Sequence, residues 1–343
     1  MIAHNKPTLG IEEQEAANRV IKSGWLASGP EVEALQYEFC QFVGLPEGHA
    51  IAVSSGTAAL YLVLQQLNIA NKTVNTPVYA CSALRNAIRM ANGKANFCDN
   101  HSNSVHTDLS SLSLQHKEIN SVSIRQHIYG FVAPQPASSI NLQIEDCAQA
   151  LGSYENKKHV GLNGIAGIFS FYATKMITSG GHGGMIIAKD KNMINAIKDY
   201  LDFDCRFDQK IRFNFQMTDI QAAIAREQLK KLPTFIERRQ EIFSHYSDRL
   251  PMLIQDCYQP NNCKSTNYRA LLKTNNPKNF ITAMAKQGIC CIEPMETREL
   301  QTNTPQNYPN AYNITNNLVS LPIYPDLSQQ QVNHVIASVE GYL

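Results

Sequence analysis

No C-x-x-C pair occurs among the nine cysteines, and their number is odd. A disulfide framework or a cysteine-rich zinc site is therefore not expected, and buried free thiols are the plain reading. No apolar run approaches the roughly 18 residues of a spanning helix, so no membrane segment is expected. Charge of one sign is lacking too. The formal net charge is +1, which leaves no global field to draw the chain to nucleic acid or to an acidic membrane. The first residues, "MIAHNKPTLGIEEQEAANRV", have no apolar core of the kind a secretion signal carries, and a cytoplasmic location is expected. There is no internal repeat and no long low-complexity tract.

What is present is alternation. "AIAV" at 50–53 is a short apolar run, and "SSGTAALYLVLQQL" follows with apolar residues at helical spacing. That reads as strand, tight turn, helix. "CSALRNAIRMA" reads as a helix and "KANFCD" as a strand after the Asn92-Gly93 turn. "SVSIRQHIYG" and "NLQIEDCAQALG" each read as a strand running into a loop or helix, and "GMIIAKD" as a strand before the helix "KNMINAIKDYL". Strands alternating with helices predict an α/β fold, a mainly parallel sheet covered on both faces.

A long helical pattern begins at "MTDIQAAIAREQLKKL", is interrupted at Pro233 and resumes as "TFIERRQEIFSHYSDRL". A proline breaks or kinks a helix. This predicts a hinge between a large domain, 1–234, and a small C-terminal domain, 235–343. The Asn/Gln-rich stretch from Gln301 to Asn317 reads as a loop free to move.

In an open parallel sheet, ligands bind at the carboxyl ends of strands. Four stretches put polar residues there. Gly56 and Thr57 open a helix whose free N–H groups suit a phosphate, although taken alone a plain cap by Ser54 or Ser55 is the simpler account. Asp146 ends an apolar strand, with Gln149 one helical turn later; a carboxylate there either holds a cationic ring nitrogen or caps a following helix. In "FSFYATKMITSGGHGG", Lys175 stands between an apolar strand and glycines. A lysine in an apolar site loses charge readily and attacks carbonyls; the alternative is an edge lysine with its ammonium in water. Asn214 lies just before a helix start and by itself is only turn chemistry. Together the first three describe pyridoxal 5'-phosphate (PLP): an aldehyde for the lysine, a ring nitrogen for the aspartate and a phosphate for the helix start.

At this point the sequence resembles the PLP-dependent sugar-nucleotide aminotransferases of the DegT/DnrJ/StrS group, which have the fold type I architecture. The motifs are "GWLASGPEVEALQYEFCQFVG", "AVSSGTAAL", "IEDCAQALG", "FSFYATK", "NFQMTDIQAAIAREQLKKLPTFIERRQEI" and "LVSLPIYPDLSQQQVNHVI", in family order across nearly the whole chain. The resemblance implies a covalent link from Lys175 to PLP, Asp146 on the pyridine nitrogen and Gln149 near the phenolic oxygen. It implies Gly56, Thr57 and Ser170 on the phosphate, with Asn214 reaching it from a neighbouring subunit. A homodimer with shared active sites follows, taking an amino-acid donor such as glutamate and a nucleotide-linked keto-sugar.

The departures are equally specific. Where the family has an aromatic residue stacked on PLP, "TPVYACSAL" offers Tyr79 and Cys81. "GHGG" places His182 where the family has an acid, and the segment from Asp108 to Glu145 is short, which predicts a trimmed edge of the large domain. A related dehydratase has a histidine in place of the lysine, so Lys175 favours transamination over it and over a non-enzymatic sensor. A nucleotide-binding oxidoreductase is disfavoured, because Gly161, Gly164 and Gly167 are spaced G-x-x-G-x-x-G and precede an apparent strand. The substrate pocket is expected to draw on the Asn/Gln-rich loop near Tyr308.

Overall fold

The computed structural model describes residues 1–109, 121–136, 142–255 and 260–343. In chain order the elements begin with α1 (Ile11–Ser23), α2 (Pro30–Val43), β1 (Ala50–Val53), α3 (Gly56–Gln66), β2 (Thr73–Pro77), α4 (Ser82–Met90) and β3 (Lys94–Cys98). The next are β4 (Val122–Gln126), β5 (Leu142–Asp146), β6 (Tyr154–Glu155), β7 (Lys158–His159), β8 (Ala166–Ser170), β9 (Gly184–Ala188) and α5 (Lys191–Leu201). The last are α6 (Asp219–Arg249), β10 (Cys263–Lys264), β11 (Ala270–Lys273), α7 (Pro277–Lys286), α8 (Pro309–Thr315), β12 (Leu318–Leu321) and α9 (Gln329–Glu340).

The main sheet has the order β1-β9-β8-β5-β4-β2-β3. Its strands run the same way except β9, which is antiparallel to both neighbours. Alternate residues face opposite cores, as the period of a strand requires. Ala50, Ala52, Phe169, Met185 and Ile187 join the core under α2 and α6. Ile51, Val53, Ile168, Ile186 and Ala188 join the core under α3, α4 and α5. Both faces are thus covered, and the continuous apolar strands follow from that. A further core gathers β11, β12, α7 and α9 against the end of α6.

Pro233 does not break α6. The helix runs unbroken over 31 residues, with Leu229, Leu232 and Ile236 in the sheet's core and Ile242 and Tyr246 in the C-terminal one. A mid-helix proline costs about 3 kcal/mol, while each large apolar side chain buried beside it returns roughly 1.5–3 kcal/mol. Packing on both sides of Pro233 therefore outweighs the lost hydrogen bond.

The Asn/Gln-rich stretch is also not a free loop. It contains α8, whose first turn is fixed when the Asn310 and Ala311 N–H groups donate to the Asp99 carboxylate. Gln301 is buried, and its amide donates to the Ala80 carbonyl at 2.5 Å. The trimmed edge expected between Asp108 and Glu145 falls partly on 110–120 and 137–141, outside the described residues. Every cysteine among the described residues is a free thiol. No helix among them is long and apolar enough to cross a membrane.

Behind β4 and β5 lies a buried polar cluster. Arg125 pairs with Glu145 at 3.3 Å and with Glu155 at 3.0 Å, and His127 Nε2 sits 2.9 Å from Glu145. Burial lowers His106 to about 3, His159 to about 4, and His127 as well, although Glu145 opposes the shift there. Burial would raise Glu145, but His127 and Arg125 hold it at about 2. All four folded values lie below the unfolded ones, so their stabilisation is full above the unfolded histidine value and is lost as pH falls. Three histidines bind up to three more protons when unfolded, a slope of about 4 kcal/mol per pH unit below the unfolded histidine pKa of about 6.5. The urea midpoint is therefore expected to fall sharply between about pH 6.5 and 5, ahead of ordinary carboxylate titration. An unchanged midpoint at pH 5 would contradict this.

Candidate active site

The site lies at the carboxyl ends of β1, β2, β5 and β8. Ser55 caps α3, its Oγ accepting from the Ala58 N–H at 3.1 Å, and its carbonyl accepts from Ala59. Gly56 and Thr57 are left with N–H groups that have no intrahelical partner. Gly56 lies so close to the end of β8 that an added Cβ would come within 2.9 Å of Ser170 Cβ. Gly184, which opens β9, is as tight: its Cβ would meet the Ser55 carbonyl carbon at 2.5 Å. The turn, Ser170 and Gly184 therefore form one cradle that only small residues allow.

After β8 the chain loops from Phe171 to Gly183. The loop is pinned by Phe171 N–H to Gly183 O at 2.8 Å and by Ala173 N–H to Gly181 O at 2.9 Å. Gly180 has φ +81°, in the left-handed region that favours glycine. Lys175 closes the first turn, its N–H donating to the Tyr172 carbonyl at 2.9 Å; its side chain is half-buried, and no hydrogen bond or ion pair to its ammonium occurs among the described residues.

A cavity of about 250 Å³ opens between these elements, lined by Ser55, Gly56, Thr57, Cys81, Asp146, Ala148, Ser170, Tyr172, Lys175 and His182. It thus brings together the sequence-predicted Gly56, Thr57, Cys81, Asp146, Ser170 and Lys175. Tyr79 is not in its lining. That side chain is fully buried, its hydroxyl 2.9 Å from that of Tyr129. Burial pushes both phenols up, Tyr79 well above the usual range. Gln149 is also absent from the lining, and its Oε1 accepts from the Tyr129 N–H at 2.7 Å. Asn214 lies in the exposed segment before α6, its side chain accepting from Gln216 N–H. Tyr308 packs against the cluster of Val78 and Tyr79 rather than on the cavity. A larger groove of about 470 Å³ between α2 and α5 includes Glu33, Lys191 and Lys198 and none of the predicted residues.

Asp146 is followed by turns, not by a helix, so it caps none. Its Oδ1 accepts from the Ala148 N–H at 3.0 Å. Burial raises its pKa, and the Ala148 hydrogen bond with the charge of Lys175 only partly offsets this. The sequence singled out His182 without a role. Its ring meets that of Tyr172 edge-on, with centroids 5.3 Å apart, at the mouth of the cavity. Sequence reasoning missed Tyr172, an exposed aromatic among core residues, where the apolar alternation offers no way to tell it apart.

A family model described as the DegT/DnrJ/EryC1/StrS aminotransferase family matches residues 7–340. The chain belongs to that family. It is a PLP-dependent aminotransferase of fold type I. GDP-perosamine synthase of Escherichia coli O157:H7 is 27% identical over 356 residues, covering 98% of this aminotransferase and 97% of that protein. Two solved structures show the same fold. The putative sugar aminotransferase Spr1654 from Streptococcus pneumoniae, in its PMP form, has a TM-score of 0.88 at 21% identity, over 99% of this chain and 97% of its own. Helicobacter pylori PseC, an aminotransferase involved in the biosynthesis of pseudoaminic acid, has a TM-score of 0.84 at 22% identity, over 99% and 98%.

The aminotransferase's cavity fits its cofactor. A Cβ at Gly56 or Gly184 would strike Ser170 or the Ser55 backbone, so the turn is held tight against β8 and β9 with the free N–H groups of the helix start at the cavity, which suit a phosphate. Asp146 is a buried carboxyl with no ion-pair partner within 4 Å among the described residues, and a cationic ring nitrogen would supply one. Gly184→Ala is expected to cost the aminotransferase at least about tenfold in PLP affinity, because backbone rather than a flexible side chain must move. Titration of the apo-protein with PLP checks this; wild-type affinity in a folded variant would refute it.

Proposed function

We propose that this aminotransferase moves an amino group from glutamate to a nucleotide-linked keto-sugar, in the biosynthesis of an amino sugar. The observation that carries the reading is the convergence of Lys175, Asp146 and the Ser55–Thr57 turn on one cavity, in a chain similar along its length to GDP-perosamine synthase. PLP, when bound, supplies an aldehyde that takes up the amino group and a ring that accepts a carbanion's electrons. Lys175 holds the cofactor at rest and, once released, moves a proton from the donor's α carbon. Asp146 would keep the ring nitrogen protonated, while Gln149, outside the cavity lining with its Oε1 on the Tyr129 N–H, would have to turn toward the cavity to meet the phenolic oxygen. Gly56, Thr57 and Ser170 would hold the phosphate. Cys81 lines the cavity in the segment where the family places an aromatic ring, and Tyr79 supports that wall from behind. Asn214 would complete the neighbouring subunit's phosphate site in a homodimer, and the exposed Phe203, Phe207, Ile211 and Phe213 beside it are apolar surface for such a contact.

The reading is tested on the purified holoenzyme. Glutamate should bleach the bound cofactor's long-wavelength band and yield 2-oxoglutarate, and a nucleotide-linked keto-sugar should restore the band. Failure of glutamate to bleach it would favour a sensor. Loss of a sugar hydroxyl without amination would favour the dehydratase.

A further inference from the structure

Lys175 Nζ lies 5.7 Å from the centroid of the Tyr268 ring, within reach of its π face. Tyr268 is itself buried, 3% exposed, on the segment leading into β11. Two guanidinium groups hold the same ring. The Arg239 guanidinium lies 5.8 Å from the centroid and that of Arg269 5.2 Å. Arg239 comes from α6, is 2% exposed, and its Nη1 donates to the carbonyls of Tyr268 and Ile323 at 3.2 and 2.8 Å. Arg269 Nη1 reaches the His4 ring at 2.9 Å. Neither arginine has a carboxylate partner among the described residues, and the Nε of each is buried without one. Such an arrangement costs desolvation at two cations, yet it gathers both guanidinium groups on the same ring that the lysine approaches. The phenol carries the imprint of this charge: burial alone would raise it, but Lys175, Arg269 and Arg239, with a hydrogen bond to Thr174, bring it below the usual range.

From this geometry we infer that Tyr268 is a positioning residue for Lys175. Its ring face holds the side chain extended toward the cavity, and Arg239 and Arg269 lock the ring in place. The inference rests on Lys175 being the covalent anchor. That link forms between the Lys175 nitrogen, after it has given a proton to solvent, and the aldehyde carbon of PLP, whose oxygen leaves as water. A lysine held in line forms it faster than one free to sample other rotamers, at the same cofactor affinity.

The experiment separates holding the cofactor from linking it. Apo-protein is mixed with PLP and the link is timed by absorbance and confirmed by borohydride reduction and mass. Affinity for pyridoxamine phosphate, which has no aldehyde to link, reports the integrity of the pocket. Tyr268→Phe keeps the ring and should link within about threefold of wild type. Tyr268→Leu should link at least about tenfold more slowly while binding pyridoxamine phosphate as wild type does. Tyr268→Met repeats the test should the leucine variant not fold. Wild-type linking in the variants without a ring overturns the inference, as does a parallel loss of pyridoxamine phosphate affinity, which marks a merely structural role. Equal slowing in Tyr268→Phe assigns the effect to the hydroxyl and overturns the role of the ring. A wild type that forms no link at all defeats the proposed function instead.

Discussion

Lys175→Ala is expected to abolish transamination, with a fall in kcat of at least about 10³-fold, because one side chain is asked both to anchor the cofactor and to move the proton. The variant should still fold. Lys175 is half-buried, and no hydrogen bond or ion pair to its ammonium occurs among the described residues, so its truncation leaves no hydrogen-bond partner there unsatisfied. It should still bind PLP through the cradle at Gly56, Thr57 and Ser170, but borohydride should no longer fix the cofactor to the chain. Retained covalent labelling in Lys175→Ala, or turnover within tenfold of wild type, would move the anchor to another lysine.

The second large effect is expected at Asp146, and it has two parts of opposite sign. Asp146→Asn replaces a charge-assisted hydrogen bond to the ring nitrogen by a neutral one, a loss of about 1.5–3 kcal/mol and roughly 10²-fold in kcat. The same substitution removes a buried carboxyl whose ionisation burial opposes, while its Oδ1 can keep the contact with the Ala148 N–H. The apo-protein should therefore melt no lower than wild type, and the holo-protein should lose part of the stabilisation that PLP confers. Calorimetry of both forms checks the pair of signs. A variant that is fully active, or whose apo form is strongly destabilised, would show Asp146 to be structural.

Much of this site was legible because its parts have local signatures. A cap residue and a glycine mark the start of α3, a carboxylate ends β5, and a lysine follows β8 before a glycine run. Each follows from the period of one element and its end. The parts that were not legible arise between segments. Tyr79 and Cys81 were equal candidates for the cofactor's face, and what separates them is the Tyr129 hydroxyl, supplied by the chain after β4. Tyr268 gains its place only because α6 and the segment leading into β11 meet behind Lys175. The break expected at Pro233 is absent for a related reason: the local rule holds, but the packing of Leu229, Leu232 and Ile236 around it is stronger. The Asn/Gln-rich stretch has no apolar period of its own, and its order comes from Asp99 and Ala80, distant in the chain.

The reversed strand β9 fixes when the site can exist. Among the described residues β1 pairs only with β9, with Val53 opposite Gly184, so the turn at Ser55 lacks this neighbour until residues far downstream have been made. A ribosome delivers about 5–20 residues per second, and non-local pairings close late. Through that interval the nascent chain holds its first helices without a place to receive PLP. Cofactor loading would thereby wait until β9, just past the middle of the 343-residue chain, has been made. Pulse-labelled chains stalled before Gly184 should retain none of the vitamin-derived group, however abundant it is in the surrounding medium.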